Sequence, residues 1–185
     1  GYGVKRLGSP DKVDADTRFG IASNTKAFTA LALGMLVEEG KLEWDAPVVN
    51  YLPQFMMWDS WVTRQITVRD ILVHNSGLGL GAGDLLWWPP TTYTPQQIMQ
   101  RLRYIEPATS FRSAYAYDNV LYLVAGQLIQ AVSGKSWSDF VTERIIRPVG
   151  MKEATTTHAS ANDAGGNVAS THAKVDGVVR PVKPF

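Results

Sequence analysis

Between Ala27 and Val37 the chain is apolar on nearly every side of a helical projection. Ala27, Phe28, Ala30, Leu31, Ala32, Leu33, Met35, Leu36 and Val37 are interrupted only by Thr29 and Gly34. A helix apolar nearly all round is a buried one, so this segment demands that other elements be built around it. Glu38 and Glu39 appear only at its end, and Gly40 is placed to terminate it. The pattern predicts a helix over residues 24–39.

At the mouth of that helix stand Ser23-Asn24-Thr25-Lys26. A serine and a lysine three apart share one helix face. The amine can then help remove the hydroxyl proton, without which an alcohol is a weak nucleophile. Burial disfavours an ammonium, and a helix N-terminus is a poor place for a cation, so Lys26 is suited to act as a base. Unpaired backbone N–H groups at the same terminus are suitable donors to a developing oxyanion. The pattern alone is weak, and the chain contains its own control. Ser9-Pro10-Asp11-Lys12 also fits, but Pro and Asp favour a turn and no apolar periodicity follows. The plain alternative for Ser23 is a helix cap, and for Lys26 a side chain that snorkels to water.

A second motif tips the balance. Tyr117-Asp118-Asn119 is the only Tyr-x-Asn in the chain, and it precedes a second apolar helix expected over Val120–Val132 and ended by Gly134. Tyr117 could be a half-buried aromatic, with Tyr115 two residues earlier, and Asn119 could be the helix N-cap. Asn119 could also do both.

Together the two motifs resemble the serine β-lactamase and penicillin-binding-protein superfamily, in particular its class C, esterase and D-aminopeptidase branch. Flanking runs resemble it too: Phe19-Gly20-Ile21-Ala22 ahead of Ser23, Glu39-Gly40-Lys41-Leu42, Asp45-Ala46-Pro47-Val48, Tyr51-Leu52-Pro53, Ile66 to Leu72, His74-Asn75-Ser76-Gly77-Leu78 and Pro148-Val149-Gly150-Met151. A related arrangement in class A β-lactamases has Ser-x-x-Lys followed by Ser-Asp-Asn. Tyr117 in the first position of the second motif favours the class C and esterase side. The resemblance implies Ser23 as nucleophile, Lys26 and Tyr117 as the proton-handling pair, and Asn119 as a donor to the substrate carbonyl. It implies no cofactor and no metal. The substrate would be a β-lactam, a D-amino-acid peptide or a small ester, since fold and motif do not choose among them.

One departure from the family stands out. Its third motif, Lys or His, then Ser or Thr, then Gly, does not occur in the chain. In the family that strand forms one wall of the active site and supplies an oxyanion donor. Residue 1 is Gly, residues 1–8 read like a strand entered midway, and Pro181 to Phe185 stop without a closing element. The expectation is the middle of a longer protein, with a second chain or a missing segment completing the sheet and the site. A catalytically silent binding or interaction module is the alternative function.

The expected architecture is α/β (α+β), β-lactamase/transpeptidase-like, mostly the helical domain with a partial flanking antiparallel sheet. It is read as a single partial domain over 1–185: a sheet edge and lead-in over 1–20, a mainly helical region over 21–165 and a hairpin region over 166–185. Within the helical part, residues 41–64 read as a connection rich in Pro, Trp and Asp. Thr67 with Asp70 predicts a helix closed by Gly77. Thr94-Pro95-Gln96-Gln97 predicts one running to about Tyr104. Ser136 with Asp139 predicts another, ending before Pro148. Asp176-Gly177 signals a hairpin turn between Ala173-Lys174-Val175 and Val178-Val179-Arg180.

Composition excludes several other classes. With 185 residues, 45% hydrophobic and 19% charged, the chain is globular and long enough for a core. A net charge of +1 gives no reason to expect nucleic acid or an anionic membrane as partner. There is no cysteine, so no disulfide or cysteine-based metal site. No apolar run reaches the ~18 residues of a membrane span uninterrupted. His74, His158 and His172 lack zinc-site spacing, and His74 reads as a helix-terminal structural residue. Gly77 to Gly83 contains a G-x-G-x-x-A match, but after a helical pattern, so it reads as a sharply bending loop near the cleft. The apolar run Leu85-Leu86-Trp87-Trp88-Pro89-Pro90 reads equally as a cleft loop or as packing. No Gly-x-Ser-x-Gly elbow is present.

Overall fold

The computed structural model describes residues 1–157 and 166–183. His158, Pro184 and Phe185 lie outside the described residues. The fold is mixed α/β, and the chain divides into two compact units, Lys26–Val141 and the pair of segments Gly1–Thr25 and Thr142–Phe185.

The Lys26–Val141 unit is helical. Its elements are α1 (Thr25–Glu38, entered from the other unit at Thr25), α2 (Ser60–Gln65), α3 (Pro95–Arg101), α4 (Val120–Ser133) and α5 (Trp137–Val141). α4 is central and packs on both α3 and α5. Its stripe Val120, Leu121, Val124, Ala125, Leu128 and Ile129 is fully buried. These positions recur at the spacing of one helix face, as an amphipathic core helix requires. α1 contributes Ala32, Leu33 and Leu36 to the same core. The Trp137 indole N–H of α5 donates to the Thr29 hydroxyl of α1 at 3.0 Å.

α1 departs from the sequence expectation. It is not buried all round: the buried positions are Thr29, Ala32, Leu33 and Leu36, whereas Leu31 is 51% exposed. Apolar composition secured the helix, but burial follows one stripe. The connection over 41–64 is more ordered than its composition suggested. Leu42, Val48, Leu52, Phe55 and Met57 enter the core, and α2 begins where Asp59 Oδ1 accepts from the N–H groups of Trp61 at 2.6 Å and Val62 at 3.1 Å. That carboxylate cap is the signal the sequence reading passed over.

The helix expected from Thr67 to Gly77 does not form; the segment is a run of turns. Its cap does form, with Asp70 Oδ2 accepting from the Thr67 N–H at 2.9 Å and hydroxyl at 2.8 Å. The same carboxylate is claimed by Arg112 at 2.6 and 3.0 Å, and His74 adopts φ 60°. A left-handed residue cannot continue an α-helix, so tertiary pairing overrides the local signal. Burial pushes the Asp70 carboxyl up, but the Arg112 and Thr67 hydrogen bonds outweigh it and hold the group below its usual value.

In the second unit, β1 (His172–Val175) and β2 (Val178–Pro181) pair antiparallel with His172 opposite Pro181 and Val175 opposite Val178. Asp176 and Gly177 turn the chain at φ 50° and 80°, the double left-handed geometry of a tight hairpin. Residues 1–8 are not a strand, contrary to expectation. The backbone turns at Gly3 and Gly8, both with positive φ, and only an isolated bridge joins Val4 to Lys12. A parallel bridge joins Arg18 to Val168. After Thr142 one widened helical turn, Thr142–Ile146, buries Ile145 and Ile146.

Candidate active site

Lys26 lies in the first turn of α1 and is half-buried. Tyr117 and Asn119 immediately precede α4 and are also half-buried. The fold brings these three together. Lys26 Nζ donates to Asn119 Oδ1 at 2.6 Å, across 93 residues of sequence. The same nitrogen sits 4.7 Å from the centroid of the Tyr117 ring and 5.1 Å from that of Tyr122. A cation over two aromatic faces is held by their quadrupoles, worth about 1 kcal/mol each when partly desolvated. The short hydrogen bond adds direction to that attraction.

Asn119 reaches Lys26 because another residue performs the capping task. Asn119 is the N-cap of α4 by position, yet its side chain makes no cap hydrogen bond. Asp118, one residue earlier, does so instead: its Oδ1 accepts from the Leu121 N–H at 3.3 Å. Its other oxygen faces the Ser76 hydroxyl at 3.5 Å. Asp118 is fully buried. That burial pushes its carboxyl up to about 6, against the lowering effects of Leu121 and Ser76.

Two further residues complete the cluster, and sequence reasoning missed their part in it. Asn119 Nδ2 lies 3.0 and 3.2 Å from the two carboxylate oxygens of Asp84. Asp84 follows directly on the glycine run, whose bend is real: Gly81 N–H donates to the Tyr117 carbonyl at 2.9 Å, so this loop is tied to the motif segment. The acid after the glycines was visible in the sequence; its contact across 35 residues was not. The neighbouring Leu85 is 84% exposed.

His74 is the second. It is buried, and its Nδ1 accepts from the Asp118 N–H at 3.2 Å, which places the proton of the neutral ring on Nε2. Its ring lies 4.5 Å from that of Tyr117, 5.6 Å from Tyr122 and 5.5 Å from Tyr115. Burial and then the nearby Lys26 charge hold His74 below the ordinary imidazole value. A neutral imidazole braces the Tyr117 ring without adding a second cation beside Lys26. Burial likewise raises the Tyr122 phenol, whose O–H donates to the Leu72 carbonyl at 2.9 Å.

Ser23 belongs to the other unit. It sits exposed in the 3-10 turn Ala22–Asn24 that leads into α1. Ala22, just before it, is held at φ 44°, a conformation an alanine pays about 1 kcal/mol or more to adopt. Among the described residues no group of His, Asp and Glu could hold a metal ion. No helix among them is long and apolar enough to cross a membrane.

The beta-lactamase family profile matches residues 1–184. The chain belongs to the beta-lactamase family. Among curated relatives, it is 35% identical over 173 residues to an unguisins hydrolase of Aspergillus campestris, covering 89% of this chain and 31% of that protein. It is 30% identical over 176 residues to Protein flp of Staphylococcus aureus, covering 90% of this chain and 34% of that protein. The chain thus spans about a third of the length of these relatives. Among solved structures, the octameric penicillin-binding protein homologue from Pyrococcus abyssi superposes with a TM-score of 0.81 at 26% identity, over 98% of this chain and 42% of that one. The D-amino acid amidase of Ochrobactrum anthropi superposes with a TM-score of 0.73 at 25% identity, over 95% of this chain and 48% of that one. The fold is therefore β-lactamase/transpeptidase-like, carrying mainly its helical region.

Proposed function

We propose that the chain carries the catalytic residues of a serine hydrolase that forms a covalent acyl-enzyme on Ser23. The observation that supports this most is the Lys26–Asn119 hydrogen bond, because it joins the Ser-x-x-Lys motif to the Tyr-x-Asn motif through side chains 93 residues apart. In this reading Ser23 Oγ attacks an ester or amide carbonyl. Its proton passes to the Lys26–Tyr117 pair and on to the departing alcohol or amine. Water then gives a proton to the same pair as it adds to the acyl carbon, the acyl–Oγ bond breaks to release the acid, and the water's proton restores Ser23. Each half passes through a tetrahedral oxyanion. Asn119 holds Lys26 through its carbonyl, and its amide nitrogen is the donor for the substrate carbonyl.

Tyr117 is suited to the task by its surroundings. Lys26 Nζ lies 4.7 Å from its ring centroid, and the His74 ring packs 4.5 Å from it in the same cluster. The similarity to a D-amino acid amidase favours D-amino-acid amides and peptides over other small-molecule substrates, with β-lactams and simple esters in the same chemical class.

The test is covalent labelling of the purified protein by a fluorophosphonate, with the modified residue read by mass spectrometry. Wild type is expected to label at Ser23, and Ser23→Ala to lose the label. Equal labelling of Ser23→Ala rejects the serine assignment, and absence of label in wild type favours the silent binding module.

A further inference from the structure

We propose that Asp84 is a positioning residue that sets the orientation of the Asn119 amide and, through it, the place of Lys26. The proposal rests on the catalytic reading above and deepens it. Three groups form a line: the Asp84 carboxylate, the Asn119 amide and the Lys26 amine. An ionised carboxylate only accepts hydrogen bonds, and a lysine ammonium only donates them. An amide between them has one workable orientation, with nitrogen towards Asp84 and oxygen towards Lys26. The observed contacts are those: Nδ2 at 3.0 and 3.2 Å from the carboxylate, and Oδ1 at 2.6 Å from Nζ.

Without Asp84 the amide loses the partner that discriminates its two ends. A side-chain amide turns easily about its last torsion, and its two faces are nearly the same shape. Turned over, it would present N–H groups to Lys26 and repel the amine. The carboxylate also polarises the amide, which strengthens the carbonyl as an acceptor for Lys26. One N–H shared between both carboxylate oxygens leaves the second N–H of Asn119 for an acyl carbonyl.

The loop is built to deliver this carboxylate. Gly81 N–H is tied to the Tyr117 carbonyl, and the Asp84 N–H donates to the Gly81 carbonyl at 3.1 Å. Gly83 sits at φ 82°, a conformation that favours glycine, and a Cβ there would press tightly on Val120 and Ile105 at 3.2 Å. The loop thus lies against the start of α4, where Asn119 is. The Asp118 carboxylate is committed to the Leu121 N–H and the Ser76 hydroxyl, and His74 Nδ1 to the Asp118 backbone N–H, so neither substitutes for Asp84 at the Asn119 nitrogen.

The test is a double-mutant cycle on the rate of fluorophosphonate labelling at Ser23. Asp84→Ala is expected to slow labelling about 10- to 100-fold, the scale for a misplaced catalytic group. In an Asn119→Ala background the same substitution is expected to change the rate less than about twofold, because its route of action is gone. A purely structural loss would slow both backgrounds equally. Asp84→Asn keeps the volume and guards against a folding defect; it is expected to lose at least about threefold in rate and to be silent in the Asn119→Ala background. Wild-type labelling by Asp84→Asn, or equal losses in both backgrounds, overturns the proposal. A second readout is independent of chemistry: the Asn119 side-chain amide in 15N spectra is expected to exchange slowly in wild type and rapidly in Asp84→Asn. An amide that exchanges equally fast in both also overturns it. Labelling of Ser23→Ala, by contrast, sinks the serine assignment and leaves the amide measurement to judge Asp84.

Discussion

α1 and α4 are both 14 residues long and both strongly apolar, yet they solve different problems. α4 concentrates its apolar core side chains on one stripe, and six residues of it are fully buried. α1 spreads its apolar residues around the cylinder and leaves Leu31 half in water. Their starts differ as sharply. α4 is preceded by a carboxylate that caps it, which suits the positive end of a helix dipole. α1 has no acid in its first turn and carries Lys26 there, against the dipole. One helix is built for stability and the other tolerates a misplaced cation at its entrance. The cation is kept in place by Asn119 and two aromatic rings, all from or beside the better-built helix. The buried α4 holds the groups that let a costly α1 entrance persist.

The largest effect should separate the two helices by their cores. Leu128→Ala in α4 removes a fully buried side chain and is expected to cost about 4 kcal/mol. Leu31→Ala in α1 removes one that is 51% exposed, and alanine is the better helix former, so its cost should stay within about 0.5 kcal/mol. Urea midpoints of the two variants decide the matter. A loss at Leu31 that matches Leu128 would mean that the exposed face of α1 is covered in solution.

The next effect tests the two entrances through pH. The folded Asp118 carboxyl keeps its proton up to about pH 6, whereas the unfolded one releases it near 3.8. Between those values the native state binds more protons than the unfolded state. This contribution to stability is therefore complete below the unfolded value and is lost as pH rises through about 6. Asp118→Asn preserves the acceptor for the Leu121 N–H and removes the buried charge. It is expected to match wild type near pH 4 and to exceed it by on the order of 2 kcal/mol at pH 8. His74 acts in the opposite sense: its folded value lies below 6.5, so its contribution is lost as pH falls through that region. Thermal unfolding across pH 4–8 reads both, and a wild-type pH slope retained in Asp118→Asn would remove Asp118 as its source.

What the sequence made legible follows how local each signal is. The α3 helix was legible because its capping box is complete within four residues, with Thr94 and Gln97 bonding reciprocally. The hairpin was legible because Asp176-Gly177 suits a turn with positive φ at both positions. The helix expected after Thr67 failed for the converse reason. Its local cap exists, but Arg112, 42 residues away, takes the same carboxylate. In the site, Lys26 and Asn119 were singled out by two short motifs, and the fold joins them. Asp84 and His74 were not found as members of the cluster, since their contacts with Asn119 and Tyr117 exist only once the loop and turns are folded.

The smallest effect concerns the two C-termini, where the helices should behave alike. α1 ends at Gly40 with φ 69°, and the Lys41 N–H closes back on the Leu36 carbonyl at 3.0 Å. α4 ends at Gly134 with φ 73°, and the Gly134 N–H donates to the Gln130 carbonyl at 2.9 Å. A Cβ at either position would meet nothing within 4 Å. Replacement by alanine therefore costs only the left-handed backbone, about 1 kcal/mol in each helix. Asparagine, which tolerates that region, should recover part of the loss at both. Equal costs by urea denaturation mean that the difference between α1 and α4 lies in their cores and entrances. A cost confined to Gly134 would mean that the α1 end frays in the native protein, and with it the anchorage of the helix that carries Lys26.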